Sequence, residues 1–153
     1  MVSFIVNLKQ QITEDMKAAM RAGDTKRRDA IRLLRAAIKQ REIDERIELD
    51  DVAVIAVIEK MLKQRKDSIA QYEAARRDDL ADTEKYEVSV LQAYMPEALS
   101  DTEVEGIIGK AISAVGAKGQ QDMGRVMGVL KSELAGRADM SKVSALVRAK
   151  LAT

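Results

Sequence analysis

The side chains best suited to chemistry are four basic residues that recur in one segment of the sequence. They are Arg28, Arg32, Arg35 and Lys39. At about 100° per residue in a helix, the four fall within about 60° of arc, opposite the side that bears Ala30, Leu34 and Ala37. Cationic groups one helical turn apart can contact successive phosphates of a nucleic acid. The alternative interpretation is a solvated face that is partly paired with acids of a neighbouring helix.

A second candidate set lies in the last third of the sequence. Gly124 and Gly128 flank Arg125, and a glycine inside a helix costs about 1 kcal/mol relative to alanine. That cost indicates close approach of another backbone or of a ligand, and close helix packing is the simpler explanation. The run 136–139, which reads Gly-Arg-Ala-Asp, is typical of a turn that stops one helix and starts the next. The basic residues that can cluster near this turn are Lys131, Arg137 and Lys142.

The residue types on which most enzymes rely are missing from the sequence. It contains no histidine and no cysteine, which removes the commonest general base and metal ligand and the thiolate nucleophile. The adjacent carboxylates Glu14-Asp15, Asp50-Asp51 and Asp78-Asp79 diverge by about 100° on a helix, so no pair converges on one point. We therefore predict no catalytic residue, no metal site and no cofactor. One phenylalanine and three tyrosines also provide no aromatic platform for single-stranded RNA.

The elements that must position these residues are all predicted to be helices. Apolar residues recur with the helical period, as at Leu8, Ile12 and Met16, and no segment alternates like a strand. Capping residues, glycines and one proline delimit the helices. The predicted bounds are about Ser3–Ala22, Thr25–Glu45, a helix capped by Asp50 or Asp51 and ending before Arg76, about Asp79–Tyr94, a helix between Ser100 and Gly116, one between Asp122 and Gly136, and one starting at Asp139 or Ser141. The fold class is all-α, with four longer helices followed by three short ones.

Pro96 is the clearest boundary, because the residue before a proline is biased away from the helical conformation. It predicts an N-terminal helical domain of residues 1–96 and a C-terminal three-helix domain of residues 97–153. The net charge is +1, no apolar run reaches the roughly 18 residues of a membrane span, and the first residues lack the pattern of a secretory signal. With no cysteine, these features predict a cytoplasmic protein without membrane contact. They leave the oligomeric state open.

Five sequence blocks resemble a known family. In chain order they are LLRAAIK (33–39), KQRKDSI (63–69), LQAYMP (91–96), DMGRVMG (122–128) and GRAD (136–139). Together they are similar to the YqeY-like proteins of the GatB/YqeY family, over essentially the whole chain. The resemblance implies an N-terminal helical domain, and a C-terminal three-helix domain similar to the tail of the B subunit of the glutamyl/aspartyl-tRNA amidotransferase. In that complex the tail helps to hold tRNA, and the family's label of glutamine-dependent carbon–nitrogen ligase derives from the larger complex.

The resemblance carries over to this chain only in part. Residues that align with the glycine- and lysine-containing pattern of that tail are Gly128, Lys131, Gly136, Arg137 and Ala138. Met140 stands where relatives often have glycine, and neither the catalytic cradle of the B subunit nor the amidase subunit has a counterpart here. Together with the basic stripe, the RNA-binding candidates are Arg28, Arg32, Arg35, Lys39, Arg125, Lys131, Gly136, Arg137 and Lys142.

Three functions remain to be weighed. We expect a non-catalytic tRNA-binding module that acts with an aminoacyl-tRNA amidotransferase or synthetase. The alternative is a protein–protein adaptor that docks on a synthetase or another translation-related partner. A stand-alone amidotransferase needs a glutaminase nucleophile, and the absence of cysteine and of any serine-amidase pattern disfavours it.

Overall fold

The computed structural model describes residues 7–152, and in that range the chain is all-α. Seven α-helices follow one another with short connections, and a short 3₁₀ helix, Gln120–Asp122, precedes the sixth. Their bounds are α1 Leu8–Ala22, α2 Thr25–Glu45, α3 Asp51–Ala74, α4 Asp78–Gln92, α5 Asp101–Val115, α6 Met123–Leu134 and α7 Met140–Leu151. None of these helices is long and apolar enough to cross a membrane. The predicted fold class is confirmed.

Local capping chemistry sets the ends of the first two helices. Asn7 has a non-helical backbone and its side chain accepts from the amide of Gln10, so α1 begins at Leu8 rather than at the predicted Ser3. The part of the predicted helix that precedes Asn7, residues 3–6, lies outside the described residues. Gly23 takes a left-handed conformation, with φ of 71°, and ends α1. Asp24 then caps α2 by accepting from the amide of Arg27, and α2 has the predicted bounds.

The next two helices follow the prediction with small shifts. Asp50 caps α3 through the amide of Ala53, at 2.9 Å. The predicted break before α4 is present, and there Arg76 has a left-handed φ of 58°. The fourth helix ends at Gln92 rather than at the predicted Tyr94, because the amide of Tyr94 bonds to the carbonyl of Leu91 in a tighter turn.

The chain divides into two compact units between Met95 and Pro96. In the first unit, α2 contacts α1, α3 and α4, and α3 packs along α4. The buried core of this unit consists of Ile12, Ile31, Leu34, Ile38, Leu49, Val54, Val57, Ile58, Met61, Leu62 and Leu91. Because α2 buries one side in this core, its opposite side is left toward solvent.

The second unit is built from α5, α6 and α7 around its own core. That core consists of Val104, Ile108, Ala111, Val126, Leu130, Leu134, Val143, Val147 and Leu151. The predicted capping box is present, since Ser100 and Glu103 bond reciprocally at the start of α5. The prediction that Asp122 caps α6 is wrong, because its carboxylate instead accepts from the amide of Lys118 at 2.8 Å.

Candidate nucleic-acid interface

The basic stripe of α2 lies on the side of the helix that the core leaves free. Ala30, Leu34 and Ile38 are buried, and on the other side the cationic residues Arg32, Arg35 and Lys39 are exposed. Arg28 is only half-buried, and its guanidinium bonds to Asp29 at 3.0 and 2.9 Å. Three of the four predicted stripe residues are therefore available for contacts outside the chain.

A groove between α1 and α2 brings these three cations together. We call it the basic groove, and its volume is about 420 Å³. Its lining residues are Lys9, Ile12, Thr13, Arg32, Arg35, Ala36, Ile38, Lys39 and Glu42. Arg28 does not line it. The arc of the helix predicted the alignment of the cations, but the groove itself depends on α1, which sequence reasoning did not connect to the stripe.

Of the three exposed cations of the basic groove, only Arg32 has an ion pair among the described residues, and it is a long one. The nearest carboxylate oxygen to Arg32 belongs to Asp29, at 4.0 Å. Arg35 donates to the sulfur of Met16 at 3.3 Å, and no ion pair within 4 Å is found for Lys39 in the part of the chain that the structure describes. The stripe is therefore a solvated face, as in the alternative interpretation, and its ion pairs among the described residues join Arg28 and Arg32 to Asp29 of the same helix rather than to acids of a neighbouring helix.

Lys9, in contrast, is fully engaged at one end of the groove. Its ammonium lies 2.5 Å from Glu42 and 3.4 Å from Glu48. The hydrogen bond to Glu42 raises the pKa of Lys9, and the same bond, helped by the amide of Leu49, lowers the pKa of Glu42. Both groups stay charged at neutral pH. The pair joins α1 to the end of α2 and holds the groove in shape.

Arg65 of α3 belongs to a different environment. Its Nε lies 3.0 Å from Glu84 and 2.9 Å from Glu87 of α4, and all three side chains are less than a fifth exposed. Burial, together with the neighbouring Glu84 carboxylate, raises the pKa of Glu87. This acidic cluster of one arginine and two glutamates was missed by sequence reasoning, because its members are distant in the sequence.

A polar cluster around Asp15 was also missed. The hydroxyl of Tyr94 donates to Asp15 at 2.5 Å, Arg27 lies 3.9 Å from the same carboxylate, and Gln11 donates to its other oxygen at 3.4 Å. Burial, followed by the bond to Asp15, raises the pKa of Tyr94. The hydroxyl therefore stays protonated and serves as a hydrogen-bond donor that ties the end of α4 to α1, rather than as a base.

In the second unit, three of the five predicted residues perform structural tasks. Arg125 bonds to Asp122 at 3.1 Å and to the carbonyl of Val115, so it covers the end of α5. Arg137 donates to the carbonyl of Glu97 at 3.3 Å. Gly136 adopts a left-handed φ of 71° between α6 and α7, a conformation that favours glycine.

The remaining two predicted residues of this unit, Lys131 and Lys142, are exposed. Lys142 lines a groove between α5 and α7 with Arg137, whereas Lys131 and Arg125 do not. The five residues are thus not gathered into one site. The prediction that Gly124 and Gly128 serve close helix packing is wrong, because a Cβ at either position would meet no described atom of another helix within 4 Å.

Fold and site together define the class: a protein that is all-helical over the described residues and has two units, the first of which carries a basic groove along the exposed side of α2. The family model described as Yqey-like protein matches residues 9–151. This chain belongs to the YqeY-like family, and the resemblance seen in its sequence blocks is confirmed.

Several curated relatives are fungal proteins called "Altered inheritance of mitochondria protein 41, mitochondrial". The protein from Candida glabrata is 36% identical over 93 residues, which cover 60% of this chain and 51% of the relative. The protein from Saccharomyces cerevisiae (strain YJM789) is 33% identical over 107 residues, which cover 68% of this chain and 58% of the relative. The protein from Pyrenophora tritici-repentis is 29% identical over 130 residues, which cover 84% of this chain and 71% of the relative.

Two facts about these relatives bear on the predictions. This chain spans about half the length of the curated relatives that it matches: 51% of the protein from Candida glabrata and 45% of the protein from Kluyveromyces lactis. The relatives are named as mitochondrial proteins, which contradicts the predicted cytoplasmic location. That prediction was wrong because it rested on the absence of cysteine and of a secretory pattern, and neither feature separates the cytoplasm from another reducing compartment.

Proposed function

We propose that this chain is a non-catalytic RNA-binding module that holds tRNA through the phosphates of its backbone. The observation that carries the proposal is the basic groove, in which Arg32, Arg35 and Lys39 face solvent and the only ion pair of the three within the described residues is the 4.0 Å contact of Arg32 with Asp29. Uncompensated cations on a folded surface are costly to keep together, and an anionic ligand relieves their mutual repulsion. Arginine forks also match phosphate geometry.

The composition supports a particular mode of binding. With one phenylalanine and three tyrosines, the chain cannot stack several bases on aromatic rings. Recognition through phosphates and overall shape suits a folded RNA such as tRNA. In the second unit, the exposed Lys131 and the open backbone at Gly124 and Gly128 offer a further surface to which a nucleic-acid backbone can approach closely. An association with an aminoacyl-tRNA amidotransferase is part of the proposal and rests on the family resemblance alone.

A titration of labelled tRNA at two salt concentrations tests this proposal. If phosphates carry the binding, affinity falls steeply with salt, and the double change Arg32→Glu with Arg35→Glu lowers the slope by about 2. It also weakens binding by about 10- to 100-fold, because two attractive contacts become repulsive. The matched control is Lys110→Glu with Lys118→Glu, which reverses two exposed charges outside the candidate set. Binding that is insensitive to salt, or equally weakened by both variants, contradicts the proposal.

A specific observation also favours the adaptor function. Leu33 and Ile43 of α2 and Ile47 after it are 46%, 59% and 50% exposed, so these large apolar side chains are accessible to a partner protein. Purification from cells with and without nuclease separates the two functions. A protein partner that remains after nuclease, and is lost when Leu33 and Ile43 become serine, supports the adaptor.

A further inference from the structure

The groove between α5 and α7 in the second unit has an apolar lining that a partner can reach. We call it the C-terminal groove, and its volume is about 580 Å³. The apolar lining residues that keep part of their surface exposed are Ala98, Leu99, Ala138, Ala145 and Leu146. Three of these five are alanines, whose small side chains leave room for larger apolar side chains of a ligand.

Two hydrogen bonds fix the chain segment that forms one part of the lining. The amide of Leu99 donates to the carbonyl of Arg137 at 3.0 Å, and Nε of Arg137 donates to the carbonyl of Glu97 at 3.3 Å. They tie the segment before α5 to the turn before α7. The groove is therefore formed before a partner arrives, which lowers the ordering cost of binding.

Opposite charges line the two sides of the C-terminal groove without neutralising each other. Asp101 and Glu105 lie one turn apart on α5, and Lys142 lies on α7. All three are exposed, and none of them has an ion pair within 4.0 Å among the described residues. These charges are therefore left for groups of a partner that fills the space between them.

We infer that the C-terminal groove docks an amphipathic α-helix of a partner protein. Such helices bind in apolar grooves through side chains spaced i, i+3, i+4 and i+7. The apolar stripe of the partner helix lies in the groove, its basic flank faces Asp101 and Glu105, and its acidic flank faces Lys142. The carboxylates on the α5 side repel phosphate, so the charges favour a protein over RNA. This site belongs to the second unit and does not depend on RNA binding at the basic groove of the first.

Three synthetic helical peptides serve as the probe, each with leucine at positions i, i+3, i+4 and i+7. The mixed peptide has lysines along one flank and glutamates along the other, the second peptide has lysines on both flanks, and the third has glutamates on both. Fluorescence anisotropy with the full chain measures their affinities. We expect the mixed peptide to bind about tenfold more tightly than the other two, because each of those places like charges against one side of the groove.

Reversal of single charges should change this order of affinity. Lys142→Glu makes both sides of the groove acidic, so we expect the lysine-flanked peptide to become the tightest binder. Glu105→Lys should improve the binding of the glutamate-flanked peptide relative to the wild type. Both positions are exposed, and circular dichroism checks that each variant keeps its helical content.

The variant Ala145→Leu tests the apolar part of the site, because it fills the groove without a change of charge and with little change in helix propensity. We expect it to weaken binding of the mixed peptide by about tenfold, since the added side chain occupies the space of a leucine of the peptide. The matched control is Ala149→Leu, because Ala149 is exposed on α7 outside the groove. In the wild type, the mixed peptide should shift the methyl resonances of Leu99 and Leu146.

Several outcomes overturn the inference. They are no measurable binding of the mixed peptide, an order of affinity that Lys142→Glu leaves unchanged, or equal weakening by Ala145→Leu and Ala149→Leu. A single-stranded RNA tetranucleotide that displaces the mixed peptide from the wild type, but does not bind to Lys142→Glu, would assign the groove to RNA instead. A dimer in sedimentation that Ala145→Leu dissociates would assign it to a second copy of this chain.

Discussion

Two arginines of the first unit, Arg35 on α2 and Arg65 on α3, have the same side chain in opposite settings. Arg65 lies within 3.0 Å of two glutamates of α4 and is less than a fifth exposed. Arg35 lines the basic groove, and its guanidinium donates to the sulfur of Met16 at 3.3 Å. Arg65 carries one positive charge beside two carboxylates, whereas the guanidinium of Arg35 is exposed to solvent and has no carboxylate partner among the described residues.

The difference shows which positive charges of this protein can serve a ligand. A guanidinium that lies between two carboxylates would have to leave them without a cation before it could bind phosphate, and that cost is large in a partly buried site. An exposed guanidinium without an acidic partner incurs no such cost. The α3–α4 side of the unit therefore uses its arginine for stability, whereas Arg35 on the α1–α2 side has no carboxylate partner to give up among the described residues.

The largest effect is expected from Arg65→Ala. The change leaves Glu84 and Glu87 close together without a cation, so we expect a loss of about 2 kcal/mol in the free energy of unfolding, below the roughly 3–5 kcal/mol of a fully buried pair. Urea unfolding followed by circular dichroism measures it. Arg35→Ala is the matched control, and its effect should remain within about 0.5 kcal/mol. Equal losses in the two variants would remove the distinction between the two settings.

A smaller effect, on binding rather than stability, is expected from Arg35→Ala. Removal of one phosphate contact should weaken tRNA binding by about threefold at moderate salt and lower the salt slope by about 1. Arg65→Ala, measured at a temperature where it remains folded, should leave both quantities unchanged. The comparison between α2 and α3 fails if Arg65→Ala weakens tRNA binding as much as Arg35→Ala does.

Much of the fold could be predicted from the sequence because the signals that set it are local. Gly23 and Asp24 end one helix and start the next within two residues, and α2 has the predicted bounds. The capping box at Ser100 is equally local. The prediction failed at Asp122, whose carboxylate bonds to the amide of Lys118, because an acid before a helix has several nearby amides from which to choose.

The site was predictable only where helical geometry alone decides it. The arc of α2 aligns Arg32, Arg35 and Lys39 whatever the rest of the chain does. The engagement of Arg125 with Val115, and of Arg137 with Glu97, depends on how helices and turns of the second unit meet in space. No sequence spacing encodes such tertiary contacts, so the sequence did not show that these two RNA-binding candidates also bond within the fold.

The smallest effect concerns the pH dependence of the acidic cluster. Because burial and Glu84 raise the pKa of Glu87 in the folded state, the folded protein binds this proton more tightly than the unfolded chain does. The stability gained from the bound proton is present below the ordinary value of 4.5 and is lost as the pH rises through the higher folded value. Glu87→Gln mimics the protonated form, so we expect it to be slightly more stable than the wild type at neutral pH.

Urea unfolding from pH 4 to pH 8 measures this dependence, and the variant should show a flatter profile than the wild type on the side above the ordinary glutamate pKa. Glu45→Gln is a suitable control, because Glu45 is an exposed partner of Arg41 on α2, and an exposed pair of this kind contributes little to stability. If the stability of Glu87→Gln falls with rising pH as steeply as that of the wild type, the two glutamates share Arg65 without mutual repulsion. The contrast between the α3–α4 side and the α1–α2 side would then rest on the exposure of the two arginines alone.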